Sequence, residues 1–264
     1  MRSLLILGSG RSGTSMVAGL FRASGAWFGD EPVEAKRANP TGSYEDKAVN
    51  ELNSVLITRL LVWRLTRWLP GPLLDPVHRD FRALWLAAPP VLLPRRVPAE
   101  LRARMRAFLE RVPFCLKDPR FNVTFELWRP SLPEGCRFLV VFRDPDRTAE
   151  SVLRDAREAY APPLPVTPDW VYRQWWRGYR RNLRRAASGD GWLFVHYDDV
   201  VSGAALPAIE AFAECRVDAA HVDPAVARAS ARLRVSRSSL RDRCFGLYAE
   251  LRARAAADSL RWSS

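Results

Sequence analysis

A glycine-rich loop near the start of the chain has the composition of an anion-binding site. It follows the apolar run Leu4–Leu7 and reads Gly8-Ser9-Gly10-Arg11-Ser12-Gly13-Thr14-Ser15. Glycines let backbone N–H groups approach a phosphate closely, because no side chain obstructs them. The hydroxyls of Thr14 and Ser15 add donors beside the positive end of a helix. The pattern therefore predicts a strand, a phosphate-binding turn and a helix N-terminus.

The same loop departs from the P-loop of nucleotide hydrolases. Gly8 and Gly13 have the P-loop spacing, but Thr14 stands where that motif requires lysine. The cation inside the loop is Arg11 instead, which weakens the case for a magnesium–nucleotide complex. A small-molecule kinase with a degenerate P-loop stays an alternative, and it would need magnesium.

A second anion-binding pattern lies later in the chain. The apolar run Phe138–Phe142 is followed by Arg143, and Ser151 comes eight residues after that arginine. Asp144 and Pro145 are typical of a helix cap and a first helical residue. The pattern predicts a buried strand that ends in an arginine and then leads into a helix. Two such loops in one chain favour a ligand with two separate anionic groups.

This combination of motifs resembles the sulfotransferases that use 3'-phosphoadenosine 5'-phosphosulfate (PAPS). Arg11–Ser15 is similar to their 5'-phosphosulfate loop, and Arg143 with Ser151 is similar to their 3'-phosphate site. Leu116–Arg120 resembles the middle-strand motif of the bacterial and carbohydrate-type members. Two further segments resemble recurring family segments: Asn39–Glu45 and Val195–Asp199. The resemblance spans residues 4 to about 200.

The resemblance implies transfer of a sulfuryl group from PAPS to an acceptor hydroxyl or amine, without a metal. It places Arg11 at the 5'-phosphate and the bridging oxygen, and Lys117 at the sulfuryl oxygens. A compact ammonium suits a transferring sulfuryl group better than a wide guanidinium does. The residues implied to bind the nucleotide are Gly10, Arg11, Ser12, Gly13, Thr14, Ser15, Arg143, Ser151, Arg234 and Arg237.

The general base is open between two carboxylates. Cytosolic sulfotransferases place a catalytic histidine two residues after the lysine of the middle strand, but Pro119 occupies that position here. An acidic base is therefore favoured. Glu31 follows Arg11 at about the spacing of the base in the tyrosylprotein enzymes, and Glu45 is the rival. Burial near cations can tune either carboxylate. Alternatively, each is a loop carboxylate that pairs with one of the many arginines.

Strands and helices alternate along the sequence, which predicts an α/β fold. Short apolar runs predict strands near residues 3–8, 113–117, 137–143 and 191–196. Helices are predicted at 13–25, 46–68, 98–112, 120–130, 145–159, 168–187, 204–214 and 238–256. This order indicates a P-loop-like parallel sheet with helices on both faces. Ligands then bind at the carboxyl ends of the strands, where the motifs lie.

Length and composition favour one domain over residues 1–264. The proline-rich segment 69–98 is predicted to be a lid or insertion, and a second proline-rich loop lies at residues 162–168. Residues 223–264 are predicted to be a C-terminal helical segment. The acceptor is expected to be a small molecule, a carbohydrate or a natural product.

The net charge of +12 favours anionic ligands and leaves a third alternative, a non-enzymatic polyanion-binding protein. The aromatic and basic residues of segment 170–181 resemble a nucleic-acid surface. We interpret them as a core helix with a solvated face, and we expect no nucleic-acid partner. His196 is expected to form a structural hydrogen bond to the turn at Asp198.

The remaining features indicate a cytoplasmic protein. The four cysteines show no CxxC pairing and predict buried thiols rather than a zinc site or disulfides. The first apolar stretch is too short for a signal peptide. Since no segment offers 18 uncharged apolar residues, stable membrane insertion is not expected.

Overall fold

The computed structural model describes residues 1–34, 42–66, 97–159, 166–222 and 238–263. Its centre is a parallel four-stranded sheet in the order β2-β1-β3-β4. The strands are β1 Leu4–Leu7, β2 Cys115–Lys117, β3 Arg137–Phe142 and β4 Trp192–His196. All four predicted strands are therefore confirmed.

Alternate residues of the strands enter two separate hydrophobic cores. In β1, Leu5 and Leu7 belong to one buried cluster, whereas Leu4 and Ile6 belong to the other. The strands are apolar on both sides because both faces of the sheet are covered. The predicted α/β fold, with helices on both faces of a parallel sheet, is confirmed.

Nine α-helices are described in these ranges. They are α1 Thr14–Gly19, α2 Lys47–Thr66, α3 Ala99–Leu109, α4 Phe121–Trp128, α5 Pro145–Ala159, α6 Pro168–Ala186, α7 Tyr197–Val201, α8 Leu206–Ala213 and α9 Ser239–Ser263. Helices α1, α7 and α8 cover the face of the sheet that carries Leu4, and α2, α3, α4, α5, α6 and α9 contribute to the core on the opposite face.

Three helices differ from the prediction. The first was expected to reach residue 25, but α1 ends at Gly19 and tighter turns follow, with Arg22 N–H donating to the Gly19 carbonyl oxygen at 3.1 Å. Helix α9 continues past residue 256 to Ser263, and its Asp258 accepts a hydrogen bond from the Phe194 N–H of β4 at 3.0 Å. The five-residue helix α7 was not predicted, since it is too short to show a helical period.

Several predictions fall outside the described residues. Among them are almost all of the proline-rich segment 69–98, most of the loop 162–168, the first part of Asn39–Glu45, and both Arg234 and Arg237. Within the described ranges, no helix combines the length and the apolar character that a membrane span requires.

Candidate functional site

The predicted motifs meet at one edge of the sheet. The strand register pairs Ile6 of β1 with Lys117 of β2, and Leu7 with Val140 of β3. It also pairs Phe142 with His196 of β4. Because parallel strands end at the same edge, the glycine-rich loop, Lys117, Arg143 and the start of α7 are neighbours there.

The glycine-rich loop contains two positions that only glycine fits. Gly8 and Gly13 have φ angles of 154° and 94°. A Cβ atom on Gly8 would lie 2.4 Å from the Val141 carbonyl oxygen, and one on Gly13 would lie 2.2 Å from the Tyr197 ring. The loop therefore packs directly against the end of β3 and the start of α7, which fixes its path.

Polar side chains hold the glycine-rich loop in place through hydrogen bonds to its backbone. The Tyr179 hydroxyl accepts a hydrogen bond from the Ser9 N–H at 3.0 Å and donates to the Val141 carbonyl oxygen at 2.8 Å. The Asn122 amide donates to the Gly8 carbonyl oxygen at 2.5 Å. The buried Ser12 hydroxyl donates to the Ser9 carbonyl oxygen at 2.6 Å. The Ser12 hydroxyl thus stabilises the loop, whereas the phosphate contacts expected of this loop stay a prediction.

Removing the Tyr179 hydroxyl is expected to loosen the loop. In Tyr179→Phe, the Ser9 N–H loses its acceptor, so we expect a loss of about 1–3 kcal/mol of stability and faster hydrogen exchange at the Ser9 amide. Tyr172→Phe is the matched control, because the Tyr172 hydroxyl donates to Asp146 and not to the loop. If Ser9 exchanges at the same rate in both variants, Tyr179 does not anchor the loop.

The two predicted anion-binding motifs are in direct contact. The guanidinium of Arg11 donates from Nε to the Ser151 hydroxyl at 3.0 Å, which joins the first loop to α5. Arg143 is buried at the end of β3, and its guanidinium carbon lies 4.3 Å from the centre of the Tyr197 ring. Tyr197 therefore contacts both Gly13 and Arg143 and holds the two motifs together.

Positive charge accumulates at this contact. Burial lowers the pKa of Arg143, and the charges of Arg147 and Arg11 lower it further, whereas Tyr197 and Asp198 oppose the shift. Guanidinium groups repel one another, so a bound anion between them would relieve the repulsion. The site thus favours an anionic ligand.

Lys117 and Glu45 form a largely buried ion pair at the end of β2. The Lys117 ammonium donates to Glu45 Oε1, and the two side chains are 3% and 14% exposed. The Asn50 amide donates to the other Glu45 oxygen at 2.7 Å. Burial by itself raises the pKa of Glu45, but the Lys117 charge and these hydrogen bonds outweigh it and lower the pKa.

The two candidate bases occupy different environments. The Glu45 backbone is held by the Val33 N–H, which donates to its carbonyl oxygen at 2.8 Å. Glu31 is exposed, and its backbone N–H donates to Asp46 at 2.8 Å. The structure therefore brings Glu45, and not the Glu31 side chain, to Lys117.

Asp118 and Arg120, the other charged residues of the middle-strand motif, are buried and pair with each other. Asp118 is fully buried, where it accepts hydrogen bonds from the backbone and side chain of Arg120 at 2.9 and 3.0 Å. It also accepts from the Asn53 amide of α2 at 2.8 Å. Asp118 thus holds the turn after β2, and Lys117 is left to face Glu45.

His196 forms the structural hydrogen bond expected of it. Its Nδ1 accepts from the Asp198 N–H at 3.2 Å, and its Nε2 lies 2.9 Å from the Tyr248 hydroxyl. Burial, with a contribution from Arg252, lowers the pKa of His196 to about 4. The imidazole is therefore neutral at neutral pH and caps α7.

This shift predicts a pH-dependent stability. In the unfolded chain a histidine titrates near pH 6.5, so below that pH the unfolded state binds more protons than the folded state. Stability is expected to fall as the pH drops from about 6.5 towards 4, by about 1–2 kcal/mol between pH 7 and pH 5. Urea unfolding at the two pH values measures it. His196→Gln should lose distinctly less over the same interval, and equal losses would contradict the assignment.

The four cysteines are free thiols. Cys115, Cys136 and Cys244 are buried free thiols, as predicted, and Cys215 is half-buried. In the part of the chain that the structure describes, no three His, Cys, Asp or Glu side chains are grouped to hold a metal ion. Trp175 and Tyr179 of α6 are buried, which confirms that this helix packs on the core.

Two solved structures are similar to this one over nearly the whole chain. One is the sulfotransferase domain of the Synechococcus PCC 7002 olefin synthase, with a TM-score of 0.55 and 16% identity over 94% of each chain. The other is the sulfotransferase domain of the curacin biosynthetic pathway, with a TM-score of 0.55 and 12% identity over 94% of this chain and 98% of that one. The fold is that of a sulfotransferase domain.

A third structure gives a weaker likeness. Retinol dehydratase in complex with androsterone and the inactive cofactor PAP aligns with a TM-score of 0.35 and 14% identity, over 98% of this chain and 81% of that one. No protein-family model matches the sequence, and no curated protein matches it significantly.

Within this sulfotransferase fold, the described candidates other than Glu31 lie along one sheet edge. Arg11 contacts Ser151, Tyr197 contacts both Gly13 and Arg143, and Lys117 ends the strand next to β1. Motif reasoning did not single out Tyr179 or Tyr197. Tyr197 lies inside the recurring segment Val195–Asp199, whereas Tyr179 shows no signal apart from its place in an aromatic helix.

Proposed function

We propose that this protein is a PAPS-dependent sulfotransferase, which transfers a sulfuryl group to a hydroxyl or amine of a small-molecule, carbohydrate or natural-product acceptor. The observation that supports it best is the contact between Arg11 and Ser151. This contact joins the glycine-rich loop to α5, the helix that follows the cation Arg143. A donor with anionic groups on both the 3' and the 5' positions of its ribose needs such a paired site.

The residues present suit the 5'-phosphosulfate and the 3'-phosphate of that donor. The backbone of residues 10–15, with Thr14 and Ser15, would receive the 5'-phosphate. Arg11 would reach the bridging oxygen with several of its five N–H donors. Arg143 and Ser151 would receive the 3'-phosphate. Arg234 and Arg237 are proposed as further cations there.

The reaction is an in-line displacement at sulfur. The acceptor oxygen or nitrogen forms a bond to sulfur, while the bond between sulfur and the 5'-phosphate oxygen breaks and leaves its electron pair on that oxygen. The products are the sulfated acceptor and 3',5'-adenosine bisphosphate (PAP), and a carboxylate takes the acceptor proton. Lys117 neutralises charge on the sulfuryl oxygens and Arg11 neutralises charge on the leaving phosphate. We further propose that the reaction takes place in the cytoplasm and needs no metal.

Calorimetry with three nucleotides tests the proposal. We expect PAP and PAPS to bind without magnesium, and ATP with magnesium to bind far more weakly. Tight binding of ATP that requires magnesium would replace the proposal with a small-molecule kinase. Salt-dependent DNA binding, together with no binding of PAP, would replace it with a polyanion-binding protein.

A further inference from the structure

The ion pair between Lys117 and Glu45 joins two side chains that water barely reaches. Lys117 is 3% and Glu45 14% exposed. The pair lies at the end of β2, where Lys117 is the register partner of Ile6, two residues before the glycine-rich loop. A buried ion pair repays the desolvation of its charges only incompletely, so its presence beside a candidate ligand site needs a reason other than stability.

The charges around this pair balance one another. Glu45 faces the cations Lys117 and Arg120 and the amide of Asn50, and Asp118 is its acidic neighbour. Asp118 already has Arg120 and Asn53 as hydrogen-bond partners. Lys117 is thus the main cation for Glu45, and an incoming anion at Lys117 would compete with Glu45 for it.

The segment that presents Glu45 is built around an unusual backbone conformation. Tyr44, directly before it, has a φ angle of 53°, in the left-handed region that favours glycine. Such a conformation costs about 1–2 kcal/mol for a residue other than glycine. The Val33 N–H and the Asn50 amide hold the backbone and the carboxylate of Glu45 from two sides. The carboxylate is therefore fixed in position by contacts that do not involve Lys117.

We propose that Glu45 is the general base of the transfer, and that Lys117 keeps it inactive until the sulfuryl group of the donor takes over the Lys117 ammonium. This inference rests on the proposed function. An ammonium offers three N–H donors, so it can turn from Glu45 to the sulfuryl oxygens without leaving the site. Glu45 then keeps its burial and loses its nearest cation, which raises its affinity for a proton. It accepts the acceptor proton as the new bond to sulfur forms.

Donor binding and base activation are coupled in this arrangement. Without the donor, the carboxylate is occupied by Lys117 and a bound acceptor keeps its proton. Glu31 offers no such coupling, because its side chain is exposed and no described contact links it to Lys117. The coupling also distinguishes PAPS from PAP, since only PAPS carries the sulfuryl group.

An NMR titration of carboxyl-labelled glutamate tests the inference without an acceptor. The Glu45 signal is the one that disappears in Glu45→Gln. We expect its titration midpoint to lie low in the free protein, to rise by about one pH unit or more with PAPS, and to stay low with PAP. Lys117→Met should show the raised midpoint without any ligand, and Lys117→Arg, which keeps the charge, should not.

The outcomes separate this inference from the proposed function. If calorimetry shows that PAPS binds while the Glu45 midpoint is unchanged, the inference is wrong and the sulfotransferase proposal stands. If neither PAPS nor PAP binds, both are wrong. The wild-type titration alone can refute the inference, so the test does not depend on whether the Lys117 variants fold.

Discussion

Arg143→Ala is expected to lower the affinity for PAP by roughly 10- to 100-fold. A charge-assisted hydrogen bond contributes about 1.5–3 kcal/mol, and 1.4 kcal/mol corresponds to a factor of ten in Kd. The guanidinium is held at the end of β3 by its contact with Tyr197 and does not have to be ordered when the ligand binds. The guanidinium therefore loses little conformational entropy when a phosphate binds.

Comparison of the affinities for PAP and adenosine 5'-monophosphate identifies which phosphate Arg143 binds. The wild-type protein should prefer PAP, and Arg143→Ala should lose most of that preference while its affinity for the monophosphate changes little. Arg216→Ala is the matched control, because the Arg216 side chain is 93% exposed and pairs with Glu210 on α8. An Arg143→Ala protein that binds PAP like the wild type would exclude the proposed 3'-phosphate site.

Gly13→Ala is expected to damage both stability and nucleotide binding. The new Cβ atom would lie 2.2 Å from the Tyr197 ring, far inside the carbon–carbon contact distance of about 3.5–4.0 Å. Relieving such an overlap costs about 1–3 kcal/mol, and the φ of 94° adds strain for any residue with a side chain. Tyr197 also contacts Arg143, so displacement of its ring should weaken binding of both the 5'-phosphate and the 3'-phosphate.

Gly189→Ala provides the control for this change. No heavy atom lies within 4 Å of a Cβ placed on Gly189, and its φ is not positive. We therefore expect wild-type stability in urea unfolding and wild-type PAP affinity in calorimetry. If Gly13→Ala matches Gly189→Ala in both measurements, the packing of the loop against Tyr197 does not shape the site.

The sequence alone determined the elements that local patterns encode. Four short apolar runs became the four strands, because a parallel sheet buried on both faces requires continuous apolar residues. Asp144 and Pro145 begin α5 as predicted, with the Asp144 carboxylate accepting the Asp146 and Arg147 N–H groups at 2.9 and 3.0 Å. These features depend on neighbours in the chain, so periodicity and capping rules reveal them.

Only the tertiary structure decided which distant residues meet. The sequence alone does not distinguish Glu31 from Glu45 as the partner of Lys117. The backbone hydrogen bond from Val33 to Glu45 and the position of Lys117 on β2 bring Glu45 to the lysine. Tyr179 supports the loop from a helix some 170 residues away in the chain. Contacts of this kind depend on how the helices dock on the sheet, and that docking comes from the sum of many weak packing interactions without a local sequence signature.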